Sequence, residues 1–376
     1  MSLVTLSPNG LATYQLQAPP EAVLVATVEG VVRLTGNAAA SRWTVEEKTL
    51  TGLHIGSLMR EPKRGYVFAG MDEGELYRST DDARSWQKSM NGISVANIFS
   101  LTCVEDGKGG VDLYSGTEPA HLFRSNDYGA SWQELPALRQ VSGMDKWTFP
   151  TPPHVAHVKN VAFDPRDHRT LYVCIEQGAL LKSYDGGESF KVLEYQDDSY
   201  KLHYDAHRIV FDPKDPDHIF LPSGDGIAES YDGGETFDHI VTPDMRVGYP
   251  DALFYAPTGS GIMFAAGGGG NPYEWLRTGN ARSAIVRSAD AGRTWRQVEG
   301  GLPVDLPGNV EAMTMFQWAD GHYGFFAGTT DGEVFASFDK GGSWCLIAGG
   351  LPPVSKCEHY QALAVGRENA QKLARA

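Results

Sequence analysis

Histidines gather just before the short apolar strands that recur along this chain. The sequence contains 11 histidines, and an even spread would place roughly one of them in the six-residue windows before these strands. The windows instead contain His54, His157, His203, His207 and His359. Imidazoles can bind a metal ion, transfer protons or hydrogen-bond a polar ligand near neutral pH. The pattern therefore predicts a ligand-binding or catalytic site built from strand starts.

Carboxylates occupy neighbouring positions. Asp251 and Glu311 begin consecutive strands of this type, and Asp205 lies two residues before His207. Glycoside hydrolysis needs two facing carboxylates, whereas a hydrolase or lyase can use a histidine as its general acid or base. The residues leave both chemistries open. The predicted catalytic residues are His207, Glu311, Asp251 and Asp205.

Other residues near these windows are predicted to bind the ligand. Basic groups suit a carboxylate, and aromatic residues in long loops suit an outer wall. The predicted substrate-binding residues are His54, His157, Lys159, His203, Arg208, His359, Trp147, Tyr273 and Trp275. We expect the catalytic and substrate-binding residues to line the mouth of a channel and to be solvated there. The sequence requires no cofactor, but a divalent metal is a possible ligand of His54, His157, His207 and His359.

One octapeptide repeats along the chain and indicates the elements that position these residues. Its pattern is Ser, any residue, Asp, any residue, Gly, any residue, Ser or Thr, and finally Trp or Phe. Full copies span residues 125–132, 183–190, 230–237, 288–295 and 337–344, and a copy at 79–86 has Ala83 in place of glycine. The aspartate can bond turn amides, glycine permits a positive φ, and the aromatic residue can anchor the turn in a core. The octapeptide therefore predicts a tight turn.

The spacing of the octapeptides predicts the fold class. Each copy follows a pair of apolar strands, and another apolar strand precedes each pair, which gives four strands per unit. A degenerate seventh unit with Trp43 as its anchor begins the chain. We predict an all-β, seven-bladed β-propeller with four-stranded antiparallel blades, formed by residues 1–376 as a single domain. Residues 360–366 are predicted to form a C-terminal strand that closes the first blade.

The octapeptide resembles the Asp-box, or BNR repeat, of sialidases, sortilin-type receptors, some glucanases and photosystem II assembly factors. The resemblance implies that each copy joins the third and fourth strands of a blade. Because strands alternate in direction, the octapeptides should then lie on the face opposite the histidines and be structural. Sialidases also carry a three-arginine cluster and an Arg-Ile-Pro motif, which Arg33-Leu34-Thr35 does not match. True sialidase activity is therefore disfavoured.

Composition narrows the function classes. The 376 residues carry a net charge of −15, so the chain should repel nucleic-acid phosphates. No apolar run reaches the roughly 18 residues that a membrane-spanning helix needs. The four cysteines form no C-x-x-C pattern, and residues 1–10 do not resemble a signal peptide, so a cytoplasmic location is expected.

Two function classes follow from these observations. The first is an enzyme, glycoside hydrolase-like or another hydrolase or lyase, that acts on a polar, sugar-like or carboxylated small molecule. The alternative is a non-catalytic propeller that binds a ligand or a protein, as assembly factors do. The predicted partner is a small-molecule or glycan-like ligand, with a protein partner left open.

Overall fold

The computed structural model describes residues 2–150, 153–193, 205–224, 226–240, 245–319 and 321–374. The strands before residue 150 are β1 (Leu3–Leu6), β2 (Thr13–Leu16), β3 (Ala22–Thr27), β4 (Gly30–Thr35), β5 (Thr44–Thr49), β6 (Ile55–Arg60), β7 (Val67–Met71), β8 (Leu76–Ser79), β9 (Gln87–Lys88), β10 (Ile98–Glu105), β11 (Val111–Thr117), β12 (Leu122–Ser125) and β13 (Gln133–Glu134). Two short 3₁₀ helices follow, at Pro136–Gln140 and Met144–Lys146.

The second half of the chain continues the same pattern. Its strands are β14 (His157–Asp164), β15 (Asp167–Glu176), β16 (Ala179–Ser183), β17 (Lys191–Val192), β18 (Val210–Phe211), β19 (Ile219–Ser223), β20 (Gly226–Ser230), β21 (Asp238–Ile240), β22 (Tyr249–Tyr255), β23 (Met263–Gly268), β24 (Ala284–Ser288), β25 (Arg296–Gln297), β26 (Val310–Trp318), β27 (His322–Thr329), β28 (Val334–Ser337) and β29 (Cys345–Ala348). The α-helices are α1 (Pro272–Thr278) and α2 (His359–Ala374).

These strands form seven sheets in the part of the chain that the structure describes. Six sheets have four strands, and the seventh has five because β2 joins the sheet β26-β27-β28-β29. Consecutive strands within a sheet pair antiparallel, for example β14 with β15 and β15 with β16. The fold class is therefore a seven-bladed β-propeller, which confirms the prediction.

The chain divides into two compact units. The first comprises residues 1–56 and 241–376, and the second comprises residues 57–240. The first unit contains the sheets β1-β3-β4-β5, β22-β23-β24-β25 and β2-β26-β27-β28-β29. The second contains β6-β7-β8-β9, β10-β11-β12-β13, β14-β15-β16-β17 and β18-β19-β20-β21.

The first sheet takes its first strand from the N-terminus. β1 pairs in parallel with β3, with Leu3 opposite Ala22. Residues 360–366 lie in α2, so the prediction that a C-terminal strand closes the first blade is wrong. A short apolar run fits a helix as well as a strand, and the polar helix-forming residues that follow extend it as a helix. Leu363 on this helix is buried beside Trp275.

The octapeptides form the predicted turns. In the copy at 230–237, Ser230 Oγ donates to Asp232 Oδ1 at 2.8 Å and accepts from the Gly234 amide at 2.8 Å. The Thr236 amide and hydroxyl donate to the Asp232 carboxylate at 2.9 and 2.6 Å. Gly234 has a φ of +92°, where glycine is unstrained. Ala83 adopts the same left-handed region with a φ of +69°, so the degenerate copy keeps the turn.

Hydrogen bonds from a nearby hydroxyl hold the octapeptide carboxylates ionised. Bonds from Ser85 and Ser189 lower the pKa of Asp81 and Asp185 to about 2. The carboxylates of these turns therefore accept hydrogen bonds within their own loop. This arrangement supports a structural role for the octapeptides.

Asp232→Asn tests that role. The change removes the charge that accepts three hydrogen bonds, and we expect it to lower the free energy of unfolding by about 1–2 kcal/mol. Urea unfolding of the variant and the parent chain measures the difference. A variant as stable as the parent would show that the turn does not need its carboxylate.

An extra residue interrupts the strand ladder near the start of several first strands. The residue that bulges is Phe99 in β10, Lys159 in β14, Asp251 in β22 and Glu311 in β26. A β-bulge bends its strand and re-aims a side chain, and bulges are frequent beside active sites. Three of these four residues are ionisable, so the bulges place charge at the strand starts.

Candidate functional site

In the second unit, the histidine and the octapeptide lie at opposite ends of the same sheet. His157 begins β14 and pairs in register with Glu176, the last residue of β15. Leu171, five residues earlier in β15, pairs with Ser183, where the octapeptide begins. Within this sheet, His157 is therefore separated along the strands from the octapeptide turn.

Glu176 is the centre of a cluster of ionisable side chains. Its buried carboxylate accepts a hydrogen bond at Oε2 from His157 Nε2, at 2.7 Å. Lys159 Nζ lies 2.9 Å from the same oxygen. One hydrogen-bond donor and one neighbouring cation at the same oxygen stabilise the ionised carboxylate where water is excluded. The bulge at Lys159 brings the ammonium group to this position.

His157 connects Glu176 to a second carboxylate. Its Nδ1 lies 2.9 Å from Glu118 Oε2, and its ring stacks on Phe99 with the centroids 3.6 Å apart. An imidazole that faces a carboxylate at each nitrogen donates to both only when it carries two protons. The imidazole therefore links the carboxylates of Glu118 and Glu176.

His207 approaches the other side of Glu176. Its Nε2 lies 3.6 Å from Glu176 Oε1 and 3.7 Å from Asp205 Oδ1. The imidazole is buried, and the His207 amide donates to the carbonyl of Pro222 at 3.0 Å. Asp205 forms an isolated antiparallel bridge with Glu176, so the backbone holds the two carboxylates together.

The ends of this cluster reach solvent. The side chains of Glu118 and Asp205 are 18% and 17% exposed, whereas those of His157 and Glu176 are buried. The structure thus brings together four predicted residues, namely His157, Lys159, Asp205 and His207. The prediction that such residues are solvated is wrong for His157 and His207 and for Lys159, because the surrounding strands and Phe99 cover them.

The remaining candidates of the second unit are His203, Arg208 and Trp147. His203 lies outside the described residues. Arg208 is half-buried, and its charge partly offsets the burial that raises the pKa of the Cys174 thiol. Trp147 is half-buried and packs against the apolar core that contains Val158 and Ile175.

In the first unit, the predicted catalytic carboxylates form buried ion pairs. Asp251 Oδ1 pairs with Lys356 Nζ, and its Oδ2 accepts from Asn309 Nδ2 at 2.7 Å. Glu311 Oε1 pairs with His359 Nδ1, and its Oε2 accepts from the Lys356 amide at 3.2 Å. Asp251, Glu311 and Lys356 are buried, so the expectation that the two carboxylates are solvated is wrong. Both pairs fix the segment that leads into α2.

The Glu311–His359 pair shifts the pKa of both members. Burial alone would raise the pKa of Glu311, but the charges of His359 and Lys356 lower it below its usual value of 4.5. Burial opposes charge on His359, yet Cys357 and Glu311 raise its pKa from 6.5 to about 10. The pair is therefore ionised at neutral pH. Glu311 lacks the raised pKa that a carboxyl group needs to act as a general acid.

This pair predicts how stability depends on pH. The contribution of His359 is complete below about pH 6.5 and is lost as the pH rises toward 10, because its pKa is higher in the folded chain. We expect the free energy of unfolding to fall by on the order of 1 kcal/mol or more across this interval. Urea unfolding at several pH values measures the fall, and His359→Gln should flatten it. An unchanged slope in the variant would contradict the assignment.

The other candidates of the first unit are separated by their contacts. His54 Nε2 lies 2.9 Å from the carbonyl of Ser355, whereas His359 Nδ1 pairs with Glu311. Tyr273 is 62% exposed, but Trp275 is buried, so its predicted place in an outer wall is wrong. Asn271 caps α1, and two positions along a helix point to nearly opposite sides, which turns Trp275 inward.

Two carboxylates of the cluster, Glu118 and Glu176, were not predicted from the sequence. Glu118 follows β11 and Glu176 ends β15, so both lie at the end of a second strand. Antiparallel pairing puts the end of a second strand beside the start of the first. The ends of second strands therefore indicate candidate residues as well as the starts of first strands do. Lys356 was also missed, since it lies 105 residues from Asp251 in the sequence.

The predicted metal ligands belong to both units, two histidines in each. In the first unit, His54 and His359 bind different partners. In the second unit, His157 and His207 both face Glu176. Within the described ranges, one group has the proximity that an ion requires, and it consists of Glu176, Asp205 and His207.

Comparisons with known proteins agree with the fold. No family model matches the chain. A xyloglucanase of Hypocrea jecorina (strain QM6a) is 25% identical over 360 residues, covering 82% of this chain and 40% of the relative. The chain thus spans about two fifths of the length of that enzyme.

Two solved structures share the fold at lower identity. An ancestral GH74 enzyme has a TM-score of 0.61 and 17% identity, covering 78% of this chain and 38% of the other. YCF48 from Cyanidioschyzon merolae has a TM-score of 0.54 and 16% identity, covering 86% and 97%. The proteins that share the fold therefore include a GH74 enzyme and YCF48. No helix among the residues described here is long and apolar enough to cross a membrane.

Proposed function

We propose that this chain is a hydrolase or lyase that acts on a polar, sugar-like or carboxylated small molecule at the cluster of the second unit. We call this set of residues the Glu176 cluster; its members are Glu118, His157, Lys159, Glu176, Asp205 and His207. One observation carries the proposal. Ionisable side chains from separate segments of the chain meet at one buried carboxylate, while both ends of the set reach solvent.

The balance of charge distinguishes this cluster from a structural ion pair. Three carboxylates accompany one lysine, so anionic groups exceed the permanent cation. In the first unit, Asp251 pairs with Lys356 and Glu311 pairs with His359, which leaves each carboxylate matched to a cation. Buried ionisable groups are costly unless they are paired. An excess of them is therefore more typical of a functional site.

The cluster contains the groups that this chemistry needs. Histidine and carboxylate side chains act as general acids and bases, and Lys159 can stabilise a carboxylate or a developing negative charge. The sequence similarity to a xyloglucanase supports a sugar-like substrate. Because the chain spans less than half of that enzyme, the substrate belongs to the proposal.

Turnover of oligosaccharides tests the proposal. The purified chain is incubated with xyloglucan oligosaccharides and with oligosaccharides that contain uronic acids. New reducing ends without an unsaturated product indicate a hydrolase, whereas ultraviolet absorbance of an unsaturated sugar indicates a lyase. His207→Ala is expected to lower kcat/KM by at least about 100-fold, the lower range for loss of an acid or base.

Asp232→Asn is the matched control, because it removes a carboxylate of the same unit from an octapeptide turn. It should lower stability and leave kcat/KM within about twofold of the parent chain. Loss of turnover in this control with turnover retained in His207→Ala would place the reaction elsewhere. No turnover of either substrate class would overturn the proposal.

A specific observation favours the alternative of a protein-binding propeller. Tyr184 and Tyr231 occupy the same position of two consecutive octapeptides, and each is 54% exposed. Exposed tyrosines are enriched in protein interfaces, and YCF48, which shares the fold, has been solved with a D1 peptide. Peptide-array binding that is lost in Tyr184→Ala and Tyr231→Ala, without turnover of any sugar, would support this alternative.

A further inference from the structure

We propose that the second unit binds one first-row divalent cation, Mn²⁺ or Zn²⁺, through Glu176, Asp205 and His207. One ligand atom from each residue lies within 4.8 Å of the others. The set combines an imidazole nitrogen with two carboxylate oxygens, donors that both cations accept.

The distances around His207 suit ligands of a common ion. Its Nε2 lies 3.6 Å from Glu176 Oε1 and 3.7 Å from Asp205 Oδ1. Bonds of about 2.1 Å to one ion separate neighbouring ligand atoms by roughly 3–3.5 Å. The observed distances exceed these values by only a few tenths of an ångström. Small movements of the side chains would complete the geometry.

Other histidines of this unit approach carboxylates more closely. Nitrogen–oxygen distances are 2.9 Å for His121 with Glu134, 2.7 Å for His157 with Glu176, and 3.1 Å for His218 with Glu229. These are direct hydrogen-bond lengths. His207 instead stands at nearly equal, longer distances from two carboxylates, as the ligands of a common ion do.

The surroundings hold the donors in place. Glu176 and Asp205 share a β-bridge, and the His207 amide is bonded to the carbonyl of Pro222. The second oxygen of Glu176 accepts from His157 and contacts Lys159, which orients the carboxylate. Metal-binding carboxylates are commonly oriented by such hydrogen bonds.

Charge also favours a cation at this place. The Glu176 cluster holds the three carboxylates Glu118, Glu176 and Asp205 together with the ammonium group of Lys159, and carboxylates attract a divalent ion. Mg²⁺ and Ca²⁺ prefer oxygen ligands throughout, whereas the His207 nitrogen favours Mn²⁺ or Zn²⁺. Asp205 is partly exposed, which leaves room for a substrate or water oxygen on the ion.

Metal binding is measured on the full chain after removal of metal with a chelator. Titration with Zn²⁺, with Mn²⁺ and with Mg²⁺ by calorimetry should show one saturable site for Zn²⁺ or Mn²⁺ and much weaker binding of Mg²⁺. Asp205→Asn and His207→Gln should each weaken binding by at least about tenfold, the lower range for loss of a metal-site interaction. Co²⁺ substitution should give a visible absorption spectrum that both variants lose.

His218→Gln is the matched control, because His218 also lies between two carboxylates of this unit, Asp212 and Glu229. This variant should retain the parent stoichiometry and affinity. The inference is overturned if neither Zn²⁺ nor Mn²⁺ binds saturably, or if Asp205→Asn and His207→Gln bind as the parent does. A catalytic role for the ion rests on the proposed function, but binding does not. Metal binding without turnover would overturn only the proposed function.

Discussion

Replacing Trp132 with alanine is expected to lower the free energy of unfolding by about 3–5 kcal/mol, the range for a large buried aromatic side chain. Trp132 is the anchor of its octapeptide and is buried. Its ring meets Phe68 edge-on at 6.4 Å, and its Nε1 donates to Ser89 Oγ at 3.1 Å. Alanine leaves a cavity beside Phe68 and removes the donor to Ser89, and the two losses act in the same direction.

The effect is measured by urea unfolding, with Tyr273→Ala as the control. Tyr273 is an aromatic residue that is largely exposed, and exposed substitutions usually change stability by less than about 0.5 kcal/mol. Trp132→Phe should recover part of the loss, because a smaller ring fills part of the cavity. Equal stability of Trp132→Ala and Tyr273→Ala would show that the anchor does not contribute to the core.

Replacing Lys356 with methionine is expected to cost about 3–5 kcal/mol, because it leaves a buried carboxylate without its cation. Methionine keeps much of the side-chain volume. Asp251 would retain the hydrogen bond from Asn309 but would lose its ion pair with Lys356. The Lys356 amide would still donate to Glu311, so the substitution isolates the ammonium group.

A double-mutant cycle separates this effect from a packing defect. Adding Asp251→Asn to Lys356→Met removes the uncompensated charge, and the double variant should recover most of the lost stability. Thermal and urea unfolding of the four chains provide the coupling energy. If the double variant is as unstable as the sum of the single ones, the cost comes from packing and the ion pair contributes little.

The repeat made the fold predictable, since each octapeptide fixes a turn and an aromatic anchor at a known place in a four-stranded unit. The helix α2 was not predictable in the same way, because an apolar run as short as residues 360–366 has no unique period. The polar residues that follow favour a helix over a strand, because helix formation is cooperative over the whole segment.

The candidate site was predictable only in part. The positions of His157, Lys159, Asp205 and His207 before first strands indicated that they would lie near strand ends. Their burial was not indicated, because it depends on Glu176, which reaches them through strand pairing. Counter-ions from distant parts of the sequence determine whether a carboxylate can react or forms a structural ion pair, as Asp251 does with Lys356.

The bulges at the strand starts have a consequence for the diversification of this architecture. A bulged residue stands outside the ladder, so its identity can change while the register on either side is preserved. In this chain the same location carries a phenyl ring at Phe99, an amine at Lys159 and carboxylates at Asp251 and Glu311. Each sheet with a bulge thus has one position at which a new functional group can be introduced by substitution. Blades that descend from a single ancestor can therefore acquire different chemistry while the pairing of their strands is unchanged.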